Sequence, residues 1–226
     1  MNNYLVATIH PWNIAQFEQY SKTIPGNWKL VTQPEVLTLN FLTTFKPDYI
    51  FFPHWSWLVD SNILEKYNCV CFHMTDVPFG RGGSPLQNLI VRGYTETKIS
   101  ALKMTRELDS GPIYLKHLLF LDGSALEIFK RAAQVISKMI NEIISTGPVP
   151  MKQIGEITIF KRRTPEQSEI PNNLSNKQLY DFIRMLDAPS YPKAYICTGQ
   201  HRLEFSEAVI DHDIVTAKVT IKNNQE

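Results

Sequence analysis

The sequence predicts an α/β domain with a mostly parallel sheet, followed by a smaller mixed unit. Short apolar runs alternate with segments of helical periodicity over residues 4–73. Strand alternating with helix is typical of a parallel sheet that is covered by helices on both faces. Apolar residues make up 43% of the 226 residues, which is enough for a sizeable core in one domain.

The first part of the chain contains four predicted strands and three predicted helices. Pro11 is placed to open the first helix, since proline fits the first helical position. Leu37, Phe41 and Phe45 recur at helical spacing and predict the second. The strands are expected at 4–9, 28–32, 48–53 and 69–73, and the helices at 11–22, 34–45 and 61–67.

The middle of the chain shows helix start and stop signals. Ser84 is a suitable N-cap, Pro85 fits the first helical position, and Gly93 is a suitable C-terminal stop. Ser124 and Glu127 form a capping box before a long apolar stripe. We therefore expect helices at 85–92 and 125–145, strands at 98–104 and 112–121, and a turn at 106–111.

The rest of the chain predicts a small unit that combines a helix with a hairpin. Two extended runs flank a four-residue turn that contains Gly199, which indicates a β-hairpin. A strand is expected at 156–160, a helix at 176–186 and a last strand at 214–221. The predicted domains are a catalytic core at 1–150 and a small C-terminal subdomain at 151–226.

Composition excludes several classes of function. The net charge is +1, and a broad nucleic-acid surface usually needs a basic face, so we expect no nucleic-acid partner. Three cysteines without a CxxC pair predict neither a disulfide framework nor a metal site. The N-terminus lacks signal-peptide features, and no apolar stretch approaches the length that spans a bilayer. We expect a soluble cytoplasmic protein without a membrane partner.

His73 stands at the end of a predicted buried strand, and a glycine-rich loop follows it. Parallel sheets bind ligands at the carboxyl ends of their strands, where His73 is expected to lie. Asp109 follows in the turn sequence RELDSG. Taken singly, a buried histidine is more often a core residue, and an aspartate in such a turn is most often a turn-former. Together they predict a catalytic pair.

The spacing around this pair resembles the folate-dependent formyltransferases. The pattern HxxxxPxxRGxxP is followed by ETxxxxxxMxxxLDxGxI at the separation found in that family. The family includes enzymes that act on methionyl-tRNA, glycinamide ribonucleotide and nucleotide sugars. The residues that match are His73, Pro78, Arg81, Gly82, Pro85, Glu96, Thr97, Asp109 and Gly111.

This resemblance implies a Rossmann-like formyltransferase core and a reaction. An amine attacks the formyl carbon of N10-formyltetrahydrofolate, and no metal takes part. His73 would carry a proton and donate to the oxyanion, and Asp109 would favour the charged ring. The implied folate-binding residues are Trp57, Leu58, Val59, Arg81, Gly82, Gly83, Thr105, Arg106, Glu107 and Leu108.

Cys71 departs from the family pattern, which has asparagine at this position. Residues i and i+2 of a strand share a face, so Cys71 and His73 are expected to be neighbours. A thiol is a weak hydrogen-bond donor. We therefore count Cys71 among the catalytic candidates, either as a weaker donor or as a thiol nucleophile. Alternatively, Thr75 or a backbone amide replaces the asparagine, or the chain is an inactive relative.

The short C-terminal part resembles enzymes that formylate nucleotide-linked amino sugars. The expected acceptor is a UDP-linked 4-amino-4,6-dideoxy sugar, as in pseudaminic-acid pathways, and the expected assembly is a homodimer. The alternatives are a methionyl-tRNA formyltransferase-like enzyme and an inactive relative that binds folate or a nucleotide sugar. The predicted substrate-binding residues are His10, Trp12, Thr75, Arg184, Tyr191 and Lys193.

Overall fold

A computed structural model describes residues 1–223 of the chain. The strands are β1 (Asn3–Ala7), β2 (Asn27–Val31), β3 (Tyr49–Pro53), β4 (Cys69–His73), β5 (Arg81–Gly82), β6 (Glu96–Lys103), β7 (Ile113–Phe120), β8 (Ile159–Phe160), β9 (Ala194–Thr198), β10 (His201–Asp211) and β11 (Ile214–Asn223). The α-helices are α1 (Pro11–Tyr20), α2 (Leu39–Phe45), α3 (Ser61–Lys66), α4 (Pro85–Val91), α5 (Ala125–Thr146) and α6 (Asn176–Arg184). Short 3-10 helices cover Pro34–Val36 and Pro165–Ser168.

The chain folds into two compact units that interleave in sequence. The first unit contains Met1–Gly82, Thr97–Leu119 and Lys130–Ile159. The second unit contains Gly83–Glu96, Phe120–Phe129 and the chain from Phe160 onward. The simpler division at residue 150, inferred from sequence, stays a prediction.

The first unit is built on the predicted parallel sheet, which confirms the α/β fold class. The strand order is β2-β1-β3-β4-β6-β7; β1 pairs in parallel with β2 and β3, β3 with β4, and β4 pairs with β6 in antiparallel fashion. Leu5, Val6, Ile50 and Phe51 are all completely buried. Because successive strand residues point to opposite faces, this burial shows that both faces of the sheet are covered.

The second unit contains the predicted hairpin. Strands β9, β10 and β11 form an antiparallel sheet in which Leu203 pairs with Ile196 and with Ile221. Helix α6 belongs to the same unit and begins with a capping box of Ser175 and Gln178. In the part of the chain that the structure describes, no helix has both the length and the apolar character needed to cross a membrane.

Three elements differ from the sequence-based expectation for local reasons. The helix expected at 34–45 is split, because Thr38 accepts a hydrogen bond from Phe41 N and so caps a separate α2. Ser84 precedes α4, but its hydroxyl accepts from Arg163 N instead of capping the helix. The strand expected at 156–160 is reduced to β8, whose partner β5 has only two residues.

Candidate active site

His73 ends β4 at the carboxyl edge of the parallel part of the sheet. Its side chain is 9% exposed, and Nε2 lies 2.7 Å from the carbonyl oxygen of Gly80. Gly80 has a φ of 73°, a conformation that glycine adopts without strain, and this turns its carbonyl oxygen toward the ring. A carbonyl oxygen can only accept, so this contact places a proton on Nε2.

Asp109 lies in the turn after β6 and faces the other nitrogen of the same ring. Asp109 Oδ2 is 3.5 Å from His73 Nδ1 and accepts a 2.9 Å hydrogen bond from Gly82 N. Asp109 has a left-handed φ of 52°. The structure therefore brings the predicted pair together, although 36 positions separate the two residues in the sequence.

Gly111 keeps the Asp109 turn close to the sheet. A Cβ atom on Gly111 would lie 1.8 Å from the carbonyl oxygen of Lys103, the last residue of β6. No side chain fits at that distance. The glycine in the LDxG pattern is thus required by a close approach of two backbone segments.

Thr75 belongs to this site as a buried support. It is completely buried, and its hydroxyl donates to the Gly80 oxygen at 3.1 Å, the oxygen that His73 also contacts. Ser100 on β6 donates to the carbonyl oxygen of Thr75 at 2.7 Å. Thr75 was predicted to bind substrate; the structure gives its hydroxyl an internal partner that orients the loop after β4.

Cys71 is partly buried and packs against an apolar cluster that includes Leu5, Ile50 and Phe52. Burial, followed by the negative charge of Asp109, raises the pKa of the Cys71 thiol well above its usual range. The thiol therefore stays protonated at neutral pH, which argues against its use as a nucleophile.

The predicted folate-binding residues of the first unit lie on three loops. Trp57, Leu58 and Val59 follow β3; Trp57 is 42% and Leu58 96% exposed, while Val59 packs on the core. Thr105, Arg106, Glu107 and Leu108 are exposed in the turn that leads to Asp109. Within the third loop, Arg81 and Gly82 form the short strand β5, and Gly82 N donates to Asp109 Oδ2.

Gly83, the remaining predicted folate contact, packs closely against backbone of the second unit. A Cβ atom on Gly83 would lie 2.4–2.8 Å from the backbone and Cβ of Arg162. Gly83 N donates to the carbonyl oxygen of Phe160 at 3.0 Å. The structure thus accounts for this glycine by close backbone packing, and its contact with folate stays a prediction.

His10 and Trp12, predicted to bind substrate, lie in a ring cluster after β1. The ring centroids of His10 and Trp12 are 4.5 Å apart, and His54, after β3, lies 4.1 Å from His10. Burial lowers the pKa of His10, and burial together with His10 lowers the pKa of His54 to about 3. Strand order reverses between β1 and β3, the position where open α/β sheets bind ligands.

The other three predicted substrate-binding residues lie in the second unit and have internal partners. Arg184 is buried, pairs with Asp181 at 2.6 Å and donates to the carbonyl oxygens of Leu121 and Gly123. Lys193 pairs with Asp187 at 2.5 Å. The Tyr191 ring stacks on Phe129, with centroids 5.2 Å apart. The buried guanidinium of Arg184 thus has three internal oxygen partners, and its contact with substrate stays a prediction.

Sequence reasoning missed Gln153 and treated Gly80 only as part of a glycine-rich loop. Gln153 contacts Arg81 and the carbonyl oxygens of Asp109 and Gly111. No local pattern marks a lone glutamine, because its partners are mostly backbone groups. Among residues 1–223, no group of three His, Cys, Asp or Glu side chains is arranged to hold a metal ion.

Comparison with known proteins identifies the family. A family model described as the C-terminal domain of methionyl-tRNA formyltransferase matches residues 165–222. A solved methionyl-tRNA formyltransferase from Clostridium thermocellum is 46% identical, with a TM-score of 0.97, and the match covers 99% of this chain and 100% of that one.

Two further comparisons give more distant similarities. A methionyl-tRNA formyltransferase of Mesoplasma florum is 28% identical over 78% of this chain and 59% of its own length. The chain thus spans about three fifths of the length of such curated relatives. A 4-N formyltransferase from Francisella tularensis shares the fold with a TM-score of 0.66 over 87% of this chain and 93% of that one, but only 15% identity.

These findings overturn the expected acceptor. The assignment to a UDP-linked amino sugar of pseudaminic-acid type is wrong, because the sugar enzyme is only a distant structural neighbour. The exclusion of nucleic acid is also wrong, because the relatives are named for a tRNA substrate. A net charge of +1 predicted no nucleic-acid partner, and the short C-terminal part predicted a sugar acceptor, although the methionyl-tRNA formyltransferase family model matches that part. The chain belongs to the folate-dependent formyltransferase family, which includes methionyl-tRNA formyltransferase.

Proposed function

We propose that this chain transfers the formyl group of N10-formyltetrahydrofolate to the α-amino group of methionyl-tRNA. The observation that carries the proposal is the His73–Asp109 pair at the carboxyl edge of the sheet. The chain is 46% identical in sequence to a solved methionyl-tRNA formyltransferase. The expected cytoplasmic location is kept within this proposal, because charged tRNA is used where proteins are made. The expected homodimer stays a prediction.

The reaction requires one net proton transfer between two nitrogen atoms. A bond forms between the methionyl nitrogen and the formyl carbon, and the bond from that carbon to N10 of the folate breaks. The amine loses a proton, and N10 gains one. A group that accepts a proton and then returns it therefore serves both halves of the reaction.

The surroundings of His73 suit this role. One proton lies on Nε2, beside the Gly80 oxygen, and the second proton of the charged ring would lie on Nδ1, which faces Asp109. The ring then carries a positive charge beside the Asp109 carboxylate, which is itself fixed by Gly82 N. The 3.5 Å separation is longer than an ordinary hydrogen bond, as is common in enzymes without bound substrate.

The folate-binding surface remains a proposal that rests on position. Trp57 and Leu58 are large, exposed apolar side chains on the loop after β3, and Leu108 is 67% exposed one residue before Asp109. Exposed apolar groups near a catalytic pair suit the flat pterin and benzoyl rings of a folate. We include the loop after β3 and the 105–108 turn in the proposed folate site.

The proposed acceptor surface involves the His10–Trp12–His54 ring cluster of the first unit. Aromatic and neutral imidazole rings offer stacking surfaces for the base or side chain of the acceptor. In the hairpin, Lys218 and Lys222 are 63% and 47% exposed, but they pair with Glu207 and Glu204. Phosphate contacts there would have to replace these ion pairs, so we expect few of them.

The test is a transfer assay with N10-formyltetrahydrofolate and methionyl-tRNA, in which formylmethionine is detected by mass after deacylation. The His73→Asn variant is expected to lose about 10²–10⁴-fold in kcat, the usual contribution of general acid–base catalysis. His117→Asn is the matched control, because His117 pairs with Glu142 at 2.9 Å and is not among the predicted site residues. Equal rates in the two variants would contradict the proposed role of His73.

A second function, folate binding without transfer, is favoured by Cys71. The family resemblance places an oxyanion donor at this position, and the protonated thiol is a weak one. Folate binding with no formyl transfer to methionyl-tRNA, by a folded protein, would support this second function.

A further inference from the structure

Gln153 is the inward-facing residue of an otherwise exposed segment next to the catalytic pair. Between Met151 and Ile157, every residue except Gln153 is exposed, including Ile154 at 90%. The segment is tied at its start by reciprocal hydrogen bonds of 2.7 and 2.8 Å between Met151 and Ile113. Near its end, Thr158 exchanges hydrogen bonds with Pro78 O and Arg81 N.

The Gln153 amide uses its complete hydrogen-bonding capacity. Nε2 donates to the carbonyl oxygens of Asp109 and Gly111, each at 2.8 Å. Oε1 accepts from Nε and Nη2 of Arg81 at 3.1 and 2.8 Å. An amide has two donor hydrogens and two acceptor lone pairs, so all four are occupied.

These contacts hold both partners of the bond that fixes the catalytic carboxylate. Asp109 Oδ2 accepts from Gly82 N, and Gly82 follows Arg81 in the chain. Gln153 therefore contacts the backbone of Asp109, the acceptor of this bond, and the side chain of Arg81, the residue before the donor Gly82. Asp109 also has a left-handed φ of 52°, which needs support from its surroundings.

We propose that Gln153 is a positioning residue, which sets the distance and orientation between Asp109 and His73 without touching the substrate. The inference rests on the proposed formyl transfer for its kinetic readout. A displacement of about 1 Å in a catalytic group can lower the rate about 10²-fold, so the effect is expected in kcat.

The first test compares Gln153→Met with Lys152→Met. Methionine approximates the size of glutamine but cannot bridge Arg81 and the two carbonyl oxygens. We expect Gln153→Met to lower kcat about 10–100-fold with KM for methionyl-tRNA changed by less than about threefold. Lys152 is the exposed neighbour on the same segment, and Lys152→Met is expected to keep wild-type kcat.

Two further variants separate positioning from a general structural role. Gln153→Glu keeps the acceptor for Arg81 but cannot donate to Asp109 O and Gly111 O, so its kcat is expected to fall as in Gln153→Met. In an Asp109→Asn background, Gln153→Met is expected to cause less than a threefold further loss, because the group it positions is already altered. Fully multiplicative losses, or wild-type kcat in Gln153→Glu, would overturn the proposal.

A readout independent of turnover distinguishes failure of this inference from failure of the proposed function. The ¹⁵N chemical shifts of the His73 ring, assigned by their disappearance in His73→Asn, report on its contact with Asp109. We expect these shifts to change in Gln153→Met and to stay unchanged in Lys152→Met. If wild-type protein does not formylate methionyl-tRNA, the proposed function fails, and the shifts still decide whether Gln153 positions the pair; unchanged shifts in Gln153→Met would refute that.

Discussion

His73 and the His10–His54 pair lie at or just after the ends of strands of the same sheet, but their neighbouring groups differ. His73 and His10 are almost equally buried, at 8% and 9% exposure, so burial does not separate them. His73 lies between the Gly80 carbonyl oxygen and the Asp109 carboxylate. His10 lies between the rings of Trp12 and His54.

The difference shows that two imidazoles of almost equal burial can have different neighbours, which are oxygen atoms around His73 and aromatic rings around His10. In the ring cluster, burial lowers the pKa of both histidines, and the nearby His10 lowers the pKa of His54 further. Around His73, a carbonyl oxygen faces Nε2 and a carboxylate oxygen faces Nδ1. The first group suits proton transfer, and the second suits packing or stacking of neutral rings.

The strongest test of this comparison removes the negative charge of Asp109 beside His73. Asp109→Asn keeps the size of the side chain, and its amide oxygen can still accept from Gly82 N. Asparagine also tolerates the left-handed φ of this position. We expect kcat for formyl transfer to fall about 10²–10⁴-fold, because the cationic ring loses its carboxylate partner.

The control for this variant measures folding and folate binding. Thermal unfolding and the dissociation constant for a folate analogue are expected to change little in Asp109→Asn. A kcat within about threefold of wild type would show that the carboxylate does not support the ring, and would remove the distinction between the two histidine groups.

The second prediction concerns the ring cluster and the pH dependence of stability. The pKa of His54 is about 3 in the folded state against 6.5 for an unperturbed histidine, so the unfolded state binds more protons between these values. Stability is therefore retained above pH 6.5 and lost as the pH falls toward 3. We expect the contribution of His54 to the unfolding free energy of the wild-type protein to fall by about 1–2 kcal/mol between pH 7 and pH 5.

His54→Asn tests the assignment, because asparagine tolerates the φ of 54° at this position and does not titrate there. Urea unfolding at pH 7 and pH 5 should show a smaller difference in the variant than in wild type. An equal difference in both proteins would mean that His54 is not held neutral, and that the two groups are more alike than the structure indicates.

The sequence predicted the parts of the molecule that depend on local patterns. The order of strands and helices follows from apolar periodicity and capping residues, and the His73–Asp109 pair follows from motif spacing. Gln153 was missed because its role depends on backbone carbonyl groups brought near it by the fold. The acceptor was wrong because length and a net charge of +1 describe the chain as a whole, whereas recognition depends on local surfaces.

The smallest effect is expected for two buried threonines, Thr75 near His73 and Thr8 near His10 in the sequence. Thr75 donates to the Gly80 oxygen at 3.1 Å, and Thr8 accepts from the Asn13 amide at 3.2 Å; both are completely buried. Replacement of either by valine removes one hydrogen bond at nearly constant volume. Each variant is expected to lose about 1 kcal/mol of unfolding free energy.

Only Thr75→Val is expected to affect catalysis, because the Gly80 oxygen that it orients also contacts His73 Nε2. We expect kcat to fall about three- to tenfold in Thr75→Val and to stay unchanged in Thr8→Val. Urea unfolding checks that the two variants lose the same unfolding free energy. If both variants lost kcat equally, the effect would follow from stability alone. Because the stability losses are matched, a difference in kcat would show that the Thr75 hydroxyl acts through His73 and not through stability.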